Sequence, residues 1–297
     1  MQGGIRFNSI NSYLRKVFGR KTVKLSIDAG FTCPNRDGTC GTGGCAFCSE
    51  GGSGELASDI PHQIELLSAK WPDAAYLAYF QAHTNTYAPV DVLRSLYYEA
   101  LDDPRIEGIA IATRPDCLGG DVLDLLEEIN RDHFMWVELG LQTIHEQTSK
   151  AMGIGYGLDV YDKAVKDLTD RGIRVVTHII LGLPGETEEM MLESVRYACK
   201  DPIFGLKLHL MNIVRNSRLY RMMPDYVPFD SIDEYVDLVI KCLEIIPPDI
   251  TIHRLTGDVP RKLLVSPEWS YRKRTILNTI NLELEKRGTY QGADLDR

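Results

Sequence analysis

The chain has 297 residues, of which 44% are apolar and 25% are charged. This composition is typical of a globular protein and excludes collagen-like, low-complexity and intrinsically disordered chains. A membrane span needs roughly 18 to 20 consecutive apolar residues, and the sequence contains no such stretch. Residues 1–24 also lack the apolar core of a signal peptide. We therefore predict a cytoplasmic protein with no membrane partner.

Positive charge is concentrated near the two ends of a chain whose net charge is −9. Residues 1–24 contain six bases and no acid, and residues 254–274 contain six bases and two acids. Residues 55–160 contain 18 acids and six bases. The two basic ends are compatible with one basic face for a nucleic acid, or with two separately solvated segments.

Six short apolar runs rich in β-branched and aromatic residues predict β-strands. They lie at 22–28, 74–81, 106–113, 134–142, 174–182 and 205–213. Helical patterns separate most of them, at about 59–71, 89–101, 119–130, 158–170 and 186–200. Strands that alternate with helices indicate βαβ units and a parallel sheet, which suits an open barrel as well as a doubly wound sheet.

The pattern changes after the sixth run. A helix at about 230–245 with Asp230 as its cap, a short run at 249–255 and a helix at about 270–287 form a C-terminal extension. No Gly/Ser-rich or Pro-rich linker precedes the extension, so we expect it to pack on the barrel. The predicted fold class is α/β, a partial (β/α)6 TIM-type barrel with a C-terminal α/β extension. The predicted divisions are a basic N-terminal segment 1–21, the barrel 22–215 and the extension 216–297.

Four of the seven cysteines fall between residues 33 and 48, directly after the first run. Cys33, Cys45 and Cys48 can reach one inorganic centre because the glycines between them let the loop curl tightly. A closed zinc site with Cys40 as the fourth ligand is an alternative. Structural zinc usually binds two short Cys pairs, however, whereas the first two gaps here are six and four residues. Disulfides or unliganded thiols would also account for the cysteines without a metal.

Six motifs lie along the chain: LSIDAGFTCPNRDG at 25–38, GGCAFC at 43–48, YFQ at 79–81, ELGLQ at 138–142, LPGE at 183–186 and RLTGD at 254–258. Together they resemble the YtqA/YhcC-like radical S-adenosylmethionine (SAM) proteins, which are relatives of the radical SAM subunit of Elongator. The resemblance covers residues 5–292. It implies a radical SAM barrel with two cofactors, SAM and a [4Fe–4S] cluster held by Cys33, Cys45 and Cys48. Cys40 falls where the family has no cysteine.

Polar residues follow the predicted strands, at the edge where parallel βα folds place their active sites. Gln81 suits the amino group of SAM, or it closes a strand end. The resemblance implies that Glu138 binds the ribose hydroxyls; otherwise it pairs with Arg114. The backbone of 182–186 is expected against the adenine, with Glu186 capping the next helix. The candidate cofactor-binding residues are Gln81, Asn85, Thr113, Arg114, Glu138, Gln142, Gly182 and Leu183.

Alternation along the sixth run predicts which side chains point into the barrel. Three leucines share one side and should face the helices, so Lys207, His209 and Met211 should face the lumen. The same parity places Glu138 together with Gln142. Lys207 and His209 are the candidate catalytic residues, although interior histidines are more often structural.

We therefore predict an oxygen-sensitive radical SAM enzyme in which the cluster cleaves SAM and a 5′-deoxyadenosyl radical abstracts hydrogen from the substrate. The resemblance implies that the substrate is tRNA, modified on a carboxymethylaminomethyl-type side chain at C5 of a wobble uridine. It also implies a reductant such as flavodoxin or ferredoxin. Two alternatives remain, a radical SAM enzyme of a small metabolite and a zinc-stabilised, non-catalytic nucleic-acid-binding protein. Salt-sensitive RNA binding argues against the first, and metal analysis decides the second.

Overall fold

A computed structural model of the chain describes residues 6–52 and 54–295. The first five residues of the predicted segment 1–21 and the last two of the predicted extension 216–297 lie outside the described residues. The helices are α1 Ile10–Phe18, α2 Ile60–Ser68, α3 Val90–Leu101, α4 Gly120–Asp132, α5 Glu146–Met152, α6 Leu158–Asp170, α7 Glu188–Ala198, α8 Arg218–Met222, α9 Ile232–Ile245 and α10 Lys273–Lys286. The strands are β1 Thr22–Ile27, β2 Ala75–Phe80, β3 Ile106–Thr113, β4 Phe134–Gln142, β5 Arg174–Leu181, β6 Gly205–Leu210, β7 Ile213–Val214, β8 Thr251–Arg254 and β9 Leu264–Ser266.

Seven parallel strands form one curled sheet, an open half-barrel, in the order β1-β2-β3-β4-β5-β6-β8. Six of them occupy the predicted runs, and the fold class is confirmed. The seventh strand, β8, comes from the predicted extension and pairs with β6, so that Thr251 lies opposite Gly205. The short strands β7 and β9 form a separate antiparallel pair.

The main apolar core lies between the outer face of the sheet and the helices around it. Alternate residues of the strands, such as Leu25 on β1 and Leu208 on β6, are buried there. Helices α9 and α10 enter the same core through Val239 and Ile276, which are fully buried. Each such aliphatic side chain contributes roughly 1.5–3 kcal/mol on burial. The extension is therefore continuous with the core of the sheet.

Helix α1 closes the amino end of the half-barrel. Ser9 caps the helix, and Ile10 and Leu14 on one face pack against Leu77 and Trp136 inside the lumen. An i, i+4 apolar spacing is a helix signal. The sequence analysis missed this helix because it interpreted the segment by its charge alone.

The two basic segments lie at opposite ends of the strands. Arg20, which directly precedes β1, pairs with Glu107 near the amino end of β3. Lys273, at the start of α10, pairs with Asp258, which lies beyond the carboxyl end of β8. A six-residue strand spans about 20 Å. The two segments are therefore separated by the length of the strands, and they do not form one basic face.

Two helix caps differ from the prediction. Helix α9 begins after Ser231 rather than Asp230, and α7 begins after Thr187 rather than Glu186. In both cases a hydroxyl on the residue directly before the helix accepts a hydrogen bond from a backbone N–H of the first turn. Glu186 instead accepts a hydrogen bond from Thr143.

Candidate active site

A cavity of about 210 Å³ opens at the carboxyl ends of the strands. Cys33, Cys45 and Cys48 line it together, in the loop that follows β1. Cys40 is exposed and is not among the lining residues. The structure thus brings the three predicted cluster ligands to one wall, and we call them the cavity cysteines.

Backbone hydrogen bonds fold the cysteine loop back on itself. The carbonyl of Cys33 accepts from the N–H of Arg36 at 2.8 Å, and the carbonyl of Asn35 accepts from the N–H of Gly44 at 2.8 Å. Gly43 and Gly44 both have a φ of 78°, a left-handed conformation that glycine adopts without steric cost. This turn lets the first cysteine and the last pair face the same space.

A polar side chain reaches one of the thiols. Asn35 Nδ2 lies 3.4 Å from the Sγ of Cys45 and also donates to the carbonyl of Gly153 at 2.6 Å. Burial raises the pKa of Cys48 to about 12 and also raises the pKa of Cys45. Both thiols are therefore protonated at neutral pH unless an inorganic centre binds them as thiolates.

The cavity cysteines suit an iron–sulfur cluster better than a single metal ion. In the described ranges, no three His, Cys, Asp or Glu side chains converge on one point as a single ion requires. In a cluster each cysteine binds a different iron, so the sulfurs need not meet. N–H groups near the sulfurs, such as that of Asn35, are usual partners of cluster ligands. The residues present therefore fit a [4Fe–4S] cluster that has one iron without a protein ligand.

Five of the eight predicted cofactor-binding residues line the cavity: Gln81, Thr113, Arg114, Glu138 and Gln142. The Oε1 of Gln81 accepts a hydrogen bond from Ser26 Oγ at 3.0 Å. Arg114 donates to both carboxylate oxygens of Asp116, at 2.9 and 2.7 Å. The alternative pairing of Arg114 with Glu138 is therefore wrong.

Asn85, Gly182 and Leu183 do not line the cavity. The side chain of Asn85 donates to the carbonyl of Ala112 at 2.8 Å. Gly182 is covered by Phe229, whose ring a Cβ at Gly182 would meet at 2.6 Å. Leu183 is fully buried. These three residues pack at strand ends, and their contact with the cofactor stays a prediction.

Two non-glycine residues in the cavity wall have a left-handed backbone. They are His83, with a φ of 59°, and Gln142, with a φ of 65°. The side chain of Gln142 folds over Gly140, where a Cβ would meet its Nε2 at 2.5 Å. Such conformations are strained and concentrate at functional sites. The sequence signal for His83 was weak, because nothing local predicts a positive φ at a histidine.

Deeper in the lumen, a buried carboxylate links several strands. Glu138 accepts hydrogen bonds from Tyr79 at 2.6 Å, from Trp136 and His178 at 2.9 Å, and from Lys207. Burial opposes its ionisation, but the charge of Lys207 and the hydrogen bond from His178 hold the pKa of Glu138 well below its ordinary value. Glu138 is thus the ionised counter-ion of Lys207, and contact with the ribose stays a prediction.

Besides Lys207, two further cations face the lumen at this depth, namely Lys24 and Arg254. Lys24 Nζ and Lys207 Nζ each lie 4.8 Å from the ring centroid of Tyr79. Arg254 lines the cavity and lies opposite Lys207 in the pairing of β6 with β8. Burial and then the neighbouring positive charges lower the pKa of Lys207, which Glu138 opposes. The parity prediction for Lys207 and His209 is confirmed, since both line the cavity.

Family profiles cover most of the chain. The Radical SAM superfamily matches residues 36–198, and the Radical_SAM C-terminal domain matches residues 203–286. The chain belongs to the Radical SAM superfamily. Its cofactors are therefore a [4Fe–4S] cluster and SAM, and the non-catalytic zinc protein is no longer an alternative. No helix in 6–52 and 54–295 combines the length and apolar character needed to cross a membrane.

Curated relatives place the chain within this superfamily. YtqA of Bacillus subtilis is 44% identical over 98% of this chain and 94% of its own length. YhcC of Escherichia coli strain K12 is 33% identical over 98% of this chain and 96% of its own length. Elongator complex protein 3 of Schizosaccharomyces pombe is 27% identical over 59% of this chain and 32% of its own length. The resemblance drawn from the motifs is confirmed.

A solved structure shares the fold of this radical SAM protein. Methanocaldococcus infernus Elp3, with an N-terminal deletion, has a TM-score of 0.67 over 91% of this chain and 64% of its own, at 17% sequence identity. This agreement shows a common fold.

Proposed function

We propose that this radical SAM enzyme modifies a carboxymethylaminomethyl-type side chain at C5 of a wobble uridine in tRNA. The observation that carries the proposal is a basic and aromatic surface beside the cavity. We call it the basic rim, and its residues are Arg261, Lys262, Tyr271, Arg272, Lys273 and Arg274. Lys273 connects this surface to the cavity, because it pairs with the cavity-lining Asp258.

The basic rim suits RNA better than a small metabolite. The guanidinium carbons of Arg261 and Arg272 lie 4.4 and 5.6 Å from the ring centroid of Tyr271, which is 39% exposed. Arginines contact phosphates, and an exposed ring offers a stacking surface to an unpaired base. A polyanion is attracted to the basic rim and repelled by the acidic region 55–160.

The chain's own residues bind, orient and shield the reactants. The cavity cysteines hold the cluster, and the polar wall formed by Gln81 and Gln142 faces the space that SAM enters. Ile10 and Leu14 of α1 close the opposite end of the lumen, so water does not enter from that side. When bound, the cluster and SAM supply radical abstraction of a hydrogen atom from an unactivated C–H bond. A wobble base is unpaired in its loop, so it can enter the cavity at low cost.

Product analysis tests the proposal. Anaerobically reconstituted enzyme, reduced by flavodoxin or ferredoxin as the proposed electron donor, is incubated with SAM and with tRNA that carries the side chain. We expect 5′-deoxyadenosine to form in step with a change in mass of the wobble nucleoside. If 5′-deoxyadenosine forms and every nucleoside keeps its mass, the tRNA proposal is wrong and a small-metabolite substrate is favoured.

A pair of charge reversals tests the surface itself. The double variant Arg272→Glu/Arg274→Glu reverses two charges of the basic rim. The matched control, Arg15→Glu/Lys16→Glu, reverses two charges of α1 at the amino ends of the strands. The rim variant should bind tRNA more weakly, and its slope of log affinity against log salt should flatten by roughly 0.7–0.9 for each lost phosphate contact. The α1 variant should bind as the wild type does. Equal losses in the two variants would contradict the assignment of the rim.

A further inference from the structure

The lumen contains more positive charge than its own acids balance. Lys24, Lys207 and Arg254 all face it from β1, β6 and β8. Glu138 is the one carboxylate that the described residues place at the level of these cations, and it is bonded to Lys207 and to three uncharged donors. Lys24 is therefore left without a carboxylate of its own, and Arg254 has only the distant carboxylate of Asp258 among the described residues.

Neither cation has an acid to itself, because Glu138 attracts Lys24 but is bonded to Lys207. Lys24 makes no hydrogen bond or ion pair with any described residue, and its Nζ faces the rings of Tyr79 and Trp136 at 4.8 and 6.0 Å. The nearest carboxylate oxygen to Arg254 belongs to Asp258, 3.9 Å away, which is too long for a hydrogen bond. Asp258 is also bound by Lys273. Four cations, Lys24, Lys207, Arg254 and Lys273, therefore share the two carboxylates of Glu138 and Asp258, and such an excess of positive charge favours an anionic ligand.

The remaining acid in the cavity wall lies elsewhere. Glu55 belongs to the loop after the cavity cysteines, and its carboxyl carbon is within 3.4 Å of the position of a Cβ on Gly51. His209, by contrast, lines the cavity from β6, near Arg254, and bonds to no described residue. An anion that approaches Arg254 in the cavity therefore also meets the imidazole of His209.

We propose that Arg254, with His209 beside it, forms a subsite that binds a carboxylate of the substrate, and that Lys24, which does not line the cavity, adds positive charge to this subsite. The inference rests on the proposed function, because a carboxymethylaminomethyl group ends in such a carboxylate. The planar fork of Arg254 matches a carboxylate through two parallel hydrogen bonds. The carboxylate of SAM would be held apart from this subsite, beside the cavity cysteines, at the iron for which the chain supplies no ligand.

The depth of the subsite determines which anionic group of tRNA can reach it, a backbone phosphate or the carboxylate of the base's side chain. Lys207, which lies opposite Arg254, is only 1% exposed, and the cavity above it is about 210 Å³. A tRNA backbone phosphate has a sugar on either side of it and stays at the mouth, whereas the substituent of an extruded base reaches this depth. The subsite thus holds the far end of the side chain, while the carbon atoms between it and the ring stay at the level of the cluster.

Binding measurements with matched probes test the subsite. The probes are the nucleoside 5-carboxymethylaminomethyluridine and its carboxamide, which has the same shape and no charge. Affinities are measured by calorimetry on anaerobically reconstituted enzyme with SAM present. We expect the wild type to bind the acid roughly ten- to a hundredfold more tightly than the amide. Arg254→Gln and Lys24→Gln should each reduce this preference at least fivefold and leave amide binding unchanged. Lys166→Gln, on the outer helix α6, is the control and should keep the preference.

Each outcome decides the proposal. Equal binding of acid and amide by the wild type, or an unchanged preference in both variants, overturns it. Inorganic phosphate that competes as well as the acid overturns the assignment to a carboxylate. Iron content and thermal unfolding show whether each variant is folded, and Arg254→Lys, which keeps the charge and loses the fork, should retain part of the preference. If N-methylglycine binds in an Arg254-dependent manner and no tRNA is modified, the subsite stands and the proposed tRNA substrate fails.

Discussion

Replacing Glu138 with glutamine removes one negative charge from the centre of the barrel and keeps the volume of the side chain. The carboxylate is 1% exposed and accepts from Tyr79, Trp136, His178 and Lys207. Glutamine keeps one acceptor oxygen and places an NH₂ donor against groups that are themselves donors. The ammonium of Lys207 then remains buried without a counter-ion.

The cost follows from that uncompensated charge. Breaking a buried ion pair by removing one partner destabilises a protein by about 3–5 kcal/mol. For a chain of this size, 1 kcal/mol corresponds to a Tm shift of about 2–4 °C, so Glu138→Gln should lower Tm by about 6–20 °C. Glu146→Gln, which breaks an exposed i,i+4 pair with Lys150, is the matched control and should leave Tm unchanged.

A double variant separates the charge from the packing. Glu138→Gln combined with Lys207→Met removes both charges, and we expect it to recover at least half of the loss, because no unpaired charge remains. Urea unfolding at neutral pH measures the differences. Since the pKa of Glu138 is lowered in the folded protein, its contribution is present above about pH 4.5 and is lost as pH falls through the folded pKa. Wild type and Glu138→Gln should therefore converge in acid. A loss below about 1 kcal/mol, or a double variant no more stable than the single one, would refute this account.

Three further predictions address the cluster, the unpaired lysine and helix α1. Replacing any one of the cavity cysteines with alanine should abolish iron binding after anaerobic reconstitution, while Cys40→Ala should keep about four irons per chain; stoichiometric zinc in place of iron would contradict this. Burial lowers the pKa of Lys24 below 10.5. The unfolding free energy of the ligand-free protein should therefore rise as pH increases toward 10.5. Urea titrations at several pH values should show this rise in the wild type and not in Lys24→Met. Leu14→Ala should cost about 2–4 kcal/mol in urea unfolding, because it opens a cavity in the floor of the lumen, whereas the exposed neighbour Arg15→Ala should have no such effect.

Local patterns predicted most of the sheet and the cysteine loop. The six long strands are apolar runs separated by helical patterns, and both signals are contained within a few residues. The strand β8 was not assigned to the barrel, because Thr251–Arg254 is four residues long and three of them are polar, and its place beside β6 depends on how the sheet curls. Parity correctly placed Lys207 in the lumen, since alternation is also a local property.

The ion-pair partner of Glu138 could not be predicted in the same way. Glu138 pairs with Lys207, which is 69 residues away in the chain, rather than with Arg114. That choice depends on the curl of the sheet, which brings β4 and β6 to face each other across the lumen. Lys24 was counted with the basic N-terminus, although β1 carries a usable signal: Leu25 and Ile27 are buried against the helices, so Lys24 and Ser26 occupy the lumen side.

The lumen is layered along its axis, and the order of the layers determines what a substrate can do there. Ile10 and Leu14 form an apolar floor, the pair of Glu138 with Lys207 lies above it, and the cavity cysteines lie at the mouth. An uncharged substrate makes no ion pair with this layer, so no electrostatic interaction fixes the depth at which it binds. A substrate with a terminal anion is held at that layer, so the atoms a fixed number of bonds above it are presented to the cluster. The excess of cations at depth therefore provides a physical basis for selecting which C–H bond reacts.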